Sequence, residues 1–299
     1  MKKPQVIIFV LLVLGYISLA LLLPSDPSVL EKYQITQSQA KMLSLTIVIP
    51  FSIIYFSALY GYLRFRLYAD SVRRTKEGKH LKELANGLMV LAFYLPIGSI
   101  VGSLINYLKF KQPDIVPLTT IFRNYLTLLF AAVALYWIAK GADGLFGTLK
   151  NRKINIPATL LLLGPIVLAC IYTWLLTTQD SGGIKSAYYL PDWLKVATLA
   201  IPYVFVWCIG LKAALHLYIY KDSVKGIVYK RAFDNLAKGI GVIIIISVFV
   251  QMITTMNEQL NRLNLTPLLG IVYFLVALYA LGYGLVARGS IKLKLIEEV

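Results

Sequence analysis

The sequence predicts an all-α integral membrane protein of about eight transmembrane helices, arranged as two tandem parallel four-helix repeats. Three observations predict it. Hydrophobic residues make up 58% of the 299-residue chain and charged residues only 15%, and the mean hydropathy is +0.72. A soluble domain carries about a quarter charged residues, so this chain has too few to coat a globular surface. Apolar runs of about 20 residues recur along it, each long enough to cross roughly 30 Å of hydrocarbon at about 1.5 Å per residue. The third observation is an internal echo. The basic stretch from Tyr68-Ala-Asp-Ser-Val72 to Leu84-Ala-Asn-Gly87 returns without a gap, 152 residues later, as Tyr220-Lys-Asp-Ser-Val224 to Leu236-Ala-Lys-Gly239.

The elements follow in order. Met1-Lys-Lys ahead of an apolar run at 6–23 has the outline of a signal peptide. The run exceeds the usual h-region and no Ala-x-Ala site precedes Pro24, so it is expected to stay as a first helix. A second span covers 43–63, and the basic linker 64–86 separates it from a third at 87–108. The fourth covers 117–139 and the fifth 157–178, joined by a connection that carries Lys150, Arg152 and Lys153. A loop with Gly182-Gly183 precedes the sixth span, 194–217; the second copy of the linker follows, then spans at 239–257 and 267–287. Continuous apolar runs without alternation exclude a transmembrane β-barrel.

Charge sets the expected orientation. Of the 30 Lys and Arg residues, 22 fall on the side shared with the N-terminus. By the positive-inside rule that side is cytoplasmic, with both termini, as for a multi-pass protein of the plasma membrane. The net charge of +16 is thereby explained by topology, and nucleic acid is not expected as a partner. The 20 tyrosines suit a chain with many membrane interfaces. Cys170 and Cys208 both sit inside apolar runs, which argues against a disulfide framework.

The 152-residue offset extends into the spans, where Thr46 and Pro50 match Thr198 and Pro202. The two units are therefore read as residues 1–150 and 151–299. Each holds an even number of spans, so the copies run the same way through the membrane. Proline cannot donate to the carbonyl four residues back, which is that of Thr46 or Thr198, so each pair marks an expected helix kink.

Asp70 and Ser71, and their counterparts Asp222 and Ser223, stand where an apolar helix ends. Their side chains are expected to cap the helix that follows. Arg73, Arg74, Lys225, Lys230 and Arg231 are expected to contact anionic lipid headgroups. A cytoplasmic or membrane protein could dock on the same linkers.

The chemistry expected is sparse. His80 and His216 lie in or beside the linkers with no partner in sequence at i+3 or i+4, which argues against haem or metal, and no cofactor is expected. The 14 carboxylates are all placed in loops or at helix ends, so no buried proton-relay acid is anticipated. Phosphate-binding loops and hydrolase motifs are missing. Arg123 falls inside the fourth span and, with Asn124 and Asn106, outlines a polar site within the membrane, with Gln251 as a lone polar group in the seventh span. Gly98 and Gly102 form a small-residue face suited to close helix packing. Two classes of function fit: a non-enzymatic transport or channel-like module for a small solute, and a membrane scaffold or sensor that presents its basic linkers.

Overall fold

The computed structural model describes residues 3–25, 27–111, 116–150, 192–255 and 264–293. Helix is the regular structure throughout these residues, with no strand among them. The helices are α1 (Lys3–Leu22), α2 (Pro27–Tyr33), α3 (Gln37–Ser71), α4 (Lys76–Lys111), α5 (Val116–Lys150), α6 (Asp192–Tyr220), α7 (Ile227–Thr255) and α8 (Leu265–Lys292). Six of the described helical segments are long and apolar enough to cross a membrane. The expected sixth span falls on α6, and the expected fifth, at 157–178, lies outside the described residues. The short α2, between the first two long helices, was not legible as a separate element.

Helix ends explain the largest difference from expectation. The linker 64–86 is helical except around 72–75, because α3 continues to Ser71 and α4 starts at Lys76. At 35 and 36 residues these helices span about 50 Å, well beyond the hydrocarbon core. Hydropathy registers only the part a membrane would cover. The start of α3 is set by a capping box. Gln39 N–H donates to Thr36 Oγ1 at 3.3 Å, and Thr36 N–H donates back to Gln39 Oε1 at 2.8 Å. α4 is capped by Thr75, whose Oγ1 accepts from Gly78 N–H at 3.1 Å. α6 ends in a 3-10 turn, Lys221–Ser223, and the chain enters α7 through Gly226 at φ 93°, a left-handed conformation that glycine adopts without strain.

The six long helices after α1 close into a ring. α3 packs on α4, α4 on α5, α5 on α6, α6 on α7, α7 on α8, and α8 returns to α3; α1 lies against α3 and α4. Aromatic edges hold α1 in place, with Phe9 5.5 Å from Phe93 and 6.0 Å from Phe56. Large apolar side chains such as Leu11, Ile53, Phe249 and Phe274 remain exposed, while the core cluster includes Tyr55, Phe65, Leu84, Ile138, Leu217 and Phe233. An apolar outside over an apolar inside fits a multi-pass membrane protein, for which lipid takes the place of water.

Two helix pairs in this ring pack most closely, and glycine sets the approach in both. A Cβ on Gly87 of α4 would lie 2.7 Å from the Ala134 carbonyl oxygen, and one on Gly239 of α7 would lie 2.8 Å from that of Gly282. From the other side, Gly141 of α5 meets the His80 carbonyl and Gly289 of α8 meets that of Ala232. Gly98 and Gly102 behave differently. A Cβ on Gly102 would have no neighbour within 4 Å, and the nearest atoms to one on Gly98 belong to Tyr94 of its own helix, so neither glycine marks a close helix approach.

Candidate functional site

Inside the ring lies a cavity of about 110 Å³, lined from α4, α5, α6, α7 and α8. Its wall is mostly apolar, with Leu135, Ile240 and Ile243, and Tyr94, Trp207, Ser247, Tyr279 and Tyr283 also line it. Tyr279 and Tyr283 stack with centroids 6.3 Å apart. Ser247 spends its proton on the Ile243 carbonyl at 2.8 Å, and its side chain also hydrogen-bonds with Tyr279. An apolar wall with a few placed hydroxyls suits a small, weakly polar guest. The volume is somewhat below the roughly 150 Å³ at which an apolar protein cavity accepts benzene.

Toward the end of the bundle where the basic elbows lie, aromatic side chains close the ring. Tyr68 and Tyr220, the residues that open the two linker motifs, are both buried there. Tyr68 lies 6.2 Å from Tyr229 of α7, and Tyr220 packs edge-on to Phe233 at 5.1 Å. The two elbows, 152 residues apart in sequence, therefore meet.

Around this closure sit charged groups that the sequence reading placed in loops, and this is a correction. Glu83 and Asp143 are buried, because α4 and α5 extend past the apolar runs and pack there. Glu83 is 3.1 Å from His80 Nδ1, a partner at i+3 that the reading did not credit, and 3.4 Å from Lys140 Nζ on α5. Asp143 Oδ1 and His216 Nδ1 of α6 share a hydrogen bond; Lys212 Nζ lies 3.8 Å from Asp143 Oδ2, which has no hydrogen-bond partner. Phe146 stacks flat on the His216 ring at 4.3 Å and 7°. On α7, Asp234 holds Lys221 at 2.8 Å and Lys238 at 2.7 Å. Partial burial works against the Lys221 charge, but the Asp234 carboxylate and the Tyr218 hydroxyl outweigh it and hold the ammonium above the ordinary lysine range.

The linker motif does not cap as expected. Ser71 Oγ donates backward to the Tyr68 carbonyl at 2.8 Å, and Ser223 Oγ to that of Tyr220 at 2.6 Å. Each serine therefore finishes the helix before it, while Thr75 and the Gly226 turn start the helices after. Asp70 pairs with Arg66 at 3.1 Å, and Arg66 also donates to Asn86 at 3.1 Å; Asp222 is exposed. Arg73, Arg74, Lys225, Lys230 and Arg231 are exposed as well, beside the exposed Ile227 and Val228.

Of the paired kinks, Pro50 lies within an unbroken α3. The Thr46 hydroxyl donates to the Leu43 carbonyl at 2.7 Å and meets the Tyr273 hydroxyl of α8 at 2.5 Å, so it ties two helices instead of serving the carbonyl that Pro50 frees. Thr198 and Pro202 belong to α6, Arg123 and Asn124 to α5, Asn106 to α4 and Gln251 to α7, but their side chains lie outside the described set. Cys208 is exposed and unpaired, and Cys170 lies outside the described residues.

What sequence reasoning missed is the set His80, Glu83, Lys140, Asp143, Lys212 and His216. The usable signal was the i, i+3 spacing of His80 with Glu83 and of Lys140 with Asp143, and the i, i+4 spacing of Lys212 with His216, each on a single helix face. Comparison with protein-family models, with curated proteins and with solved structures finds no match to this chain.

Proposed function

We propose that this chain is a non-enzymatic transport or channel-like module for a small, weakly polar solute, with its pathway along the ring interior. The observation that carries the reading is the cavity itself, lined by five helices and including Tyr94, Tyr279 and Tyr283 in its wall. The buried aromatic closure at Tyr68 and Tyr220 supports a state shut toward the elbows. On this reading the chain has eight spans in two parallel repeats of residues 1–150 and 151–299, and the elbows and both termini are cytoplasmic. Support for the duplication comes from matched packing. The glycine contacts of α4 with α5 recur between α7 and α8, and each linker serine bonds the tyrosine three residues before it. Arg123, Asn124 and Asn106 remain the candidates for the outer mouth. The test is flux of small neutral solutes into proteoliposomes holding the full chain. Ala131→Phe, which fills the cavity wall, should abolish a flux that wild type supports. A solute panel with no protein-dependent flux overturns the reading.

A second reading, a scaffold or sensor, is favoured by one observation. The contact of Tyr68 with Tyr229 brings the two elbows together, and both carry exposed bases. Such a surface suits anionic lipid headgroups, with Ile227 and Val228 entering the acyl boundary.

A further inference from the structure

The seams between the two halves of the ring differ, and the difference isolates one group of residues. Where α8 meets α3 the contact is made by small residues: a Cβ on Gly61 would lie 3.0 Å from the Ala287 Cα. Where α5 meets α6, Asp143 crosses to His216 and Lys212. Under the 152-residue offset, the positions on α3 that answer to His216 and Lys212 are Arg64 and Tyr60. Under the 148-residue offset that pairs Gly289 with Gly141, the position on α8 that answers to Asp143 is Ile291. The carboxylate belongs to one seam alone.

Asp143 is only 4% exposed. Removing a carboxylate from water costs several kcal/mol unless charges and donors compensate for it. Compensation here is incomplete. An ionised carboxylate has only acceptors, so the bond to Oδ1 requires the proton on His216 Nδ1. Phe146 fixes the ring plane by stacking. Oδ2 keeps an open lone pair, with Lys212 too far to donate to it. On α4, His80 and Glu83 bind each other, and Glu83 also pairs with Lys140 of α5. Among the described residues, Asp143 Oδ2 is the buried side-chain oxygen left without a hydrogen-bond partner, and the smallest ligand that fills it is a proton.

We propose that Asp143 and His216, with Lys212 beside them, form a proton-binding site across the α5–α6 seam. A hydronium ion in solution gives a proton to Asp143 Oδ2 and leaves as water; one O–H bond breaks, one forms, and nothing is oxidised or reduced. With the carboxyl neutral, His216 and Lys212 lose the charge that holds them to α5, and the seam is weakened. A pathway that opens at this seam would couple its cargo to the proton, and in that respect the inference rests on the transport reading.

The experiment reads the proton without any cargo. Infrared difference spectra of the reconstituted full chain are recorded as the pH is lowered, following the C=O band of protonated carboxyl groups. Wild type should show a titrating band that Asp143→Asn removes. Lys212→Met, which takes away a cation 3.8 Å from the carboxylate, should move its midpoint upward by about one pH unit, a tenfold gain in proton affinity. Glu83→Gln should leave that midpoint in place. A band unchanged in Asp143→Asn, or a midpoint unmoved in Lys212→Met, overturns the proposal. A protein that moves no solute yet passes these tests would refute transport and keep the proton site.

Discussion

Replacing Gly239 by alanine tests how the ring is held together, because the backbones of α7 and α8 approach closely there. The added Cβ would lie 2.8 Å from both the Gly282 carbonyl oxygen and the Val286 nitrogen. Both are backbone atoms, so no rotamer change relieves the contact. Ordinary contact begins at 3.4 Å, and the helices must part by about 0.6 Å over this turn. Overpacking of this kind costs about 1–3 kcal/mol. Alanine in place of glycine recovers about 0.8–1 kcal/mol of helix propensity, leaving a net loss of up to about 2 kcal/mol. Gly284, on α8, has nothing within 4 Å of its Cβ direction. Gly284→Ala should therefore show the propensity gain alone. Equilibrium unfolding in mixed micelles of mild and denaturing detergent, followed by tryptophan fluorescence, measures both variants. The difference between them isolates the packing cost. Equal stability of Gly239→Ala and Gly284→Ala would refute the claim that glycine sets this approach. The same contrast should hold between Gly87→Ala and Gly270→Ala, the latter also facing open space.

Other outcomes follow from single contacts. A double-mutant cycle of Thr46→Val with Tyr273→Phe should give a coupling of about 0.6–1.7 kcal/mol, the range for hydrogen bonds between membrane helices, in the same unfolding assay. No coupling would mean that the hydroxyls do not join α3 to α8. Reversing Lys225, Lys230 and Arg231 to glutamate should weaken retention of anionic over zwitterionic lipid, read by native mass spectrometry of the purified protein. About 1 kcal/mol per base lost at the surface makes this a change of at least a hundredfold, and unchanged lipid preference sinks the headgroup reading. Cysteines introduced at 73–79 and 225–231 should react with impermeant reagent only from the cytoplasmic side; labelling from outside reverses the assigned orientation.

Helix existence was legible because hydropathy is a local property of the chain. The runs at 43–63, 87–108 and 267–287 all fall inside observed helices. Helix ends were not, since α4 begins at Lys76 in a charged stretch that only packing against α5 makes helical and buried at Glu83. The Asp-Ser motif was found, but its task was assigned to the following helix when the serine proton goes to the preceding one. Gly87 and Gly239 could be paired from sequence at 152 residues. The endings Ala139-Lys140-Gly141 and Ala287-Arg288-Gly289 also match, at 148 residues, but that all four glycines sit where helix backbones meet was not legible, because the residues they approach lie on other helices.

By itself the sequence determined that this is a chain of long apolar helices, where the basic elbows lie, and that the elbows are alike. These follow from residue type and spacing along one strand of polymer. Only the tertiary structure decided the order of helices round the ring, the cavity within it, and the meeting of Tyr68 with Tyr229. It also decided that Asp143 is buried against His216, 73 residues away. A charge is costly or harmless according to what surrounds it in space, and hydropathy along the chain carries no record of that.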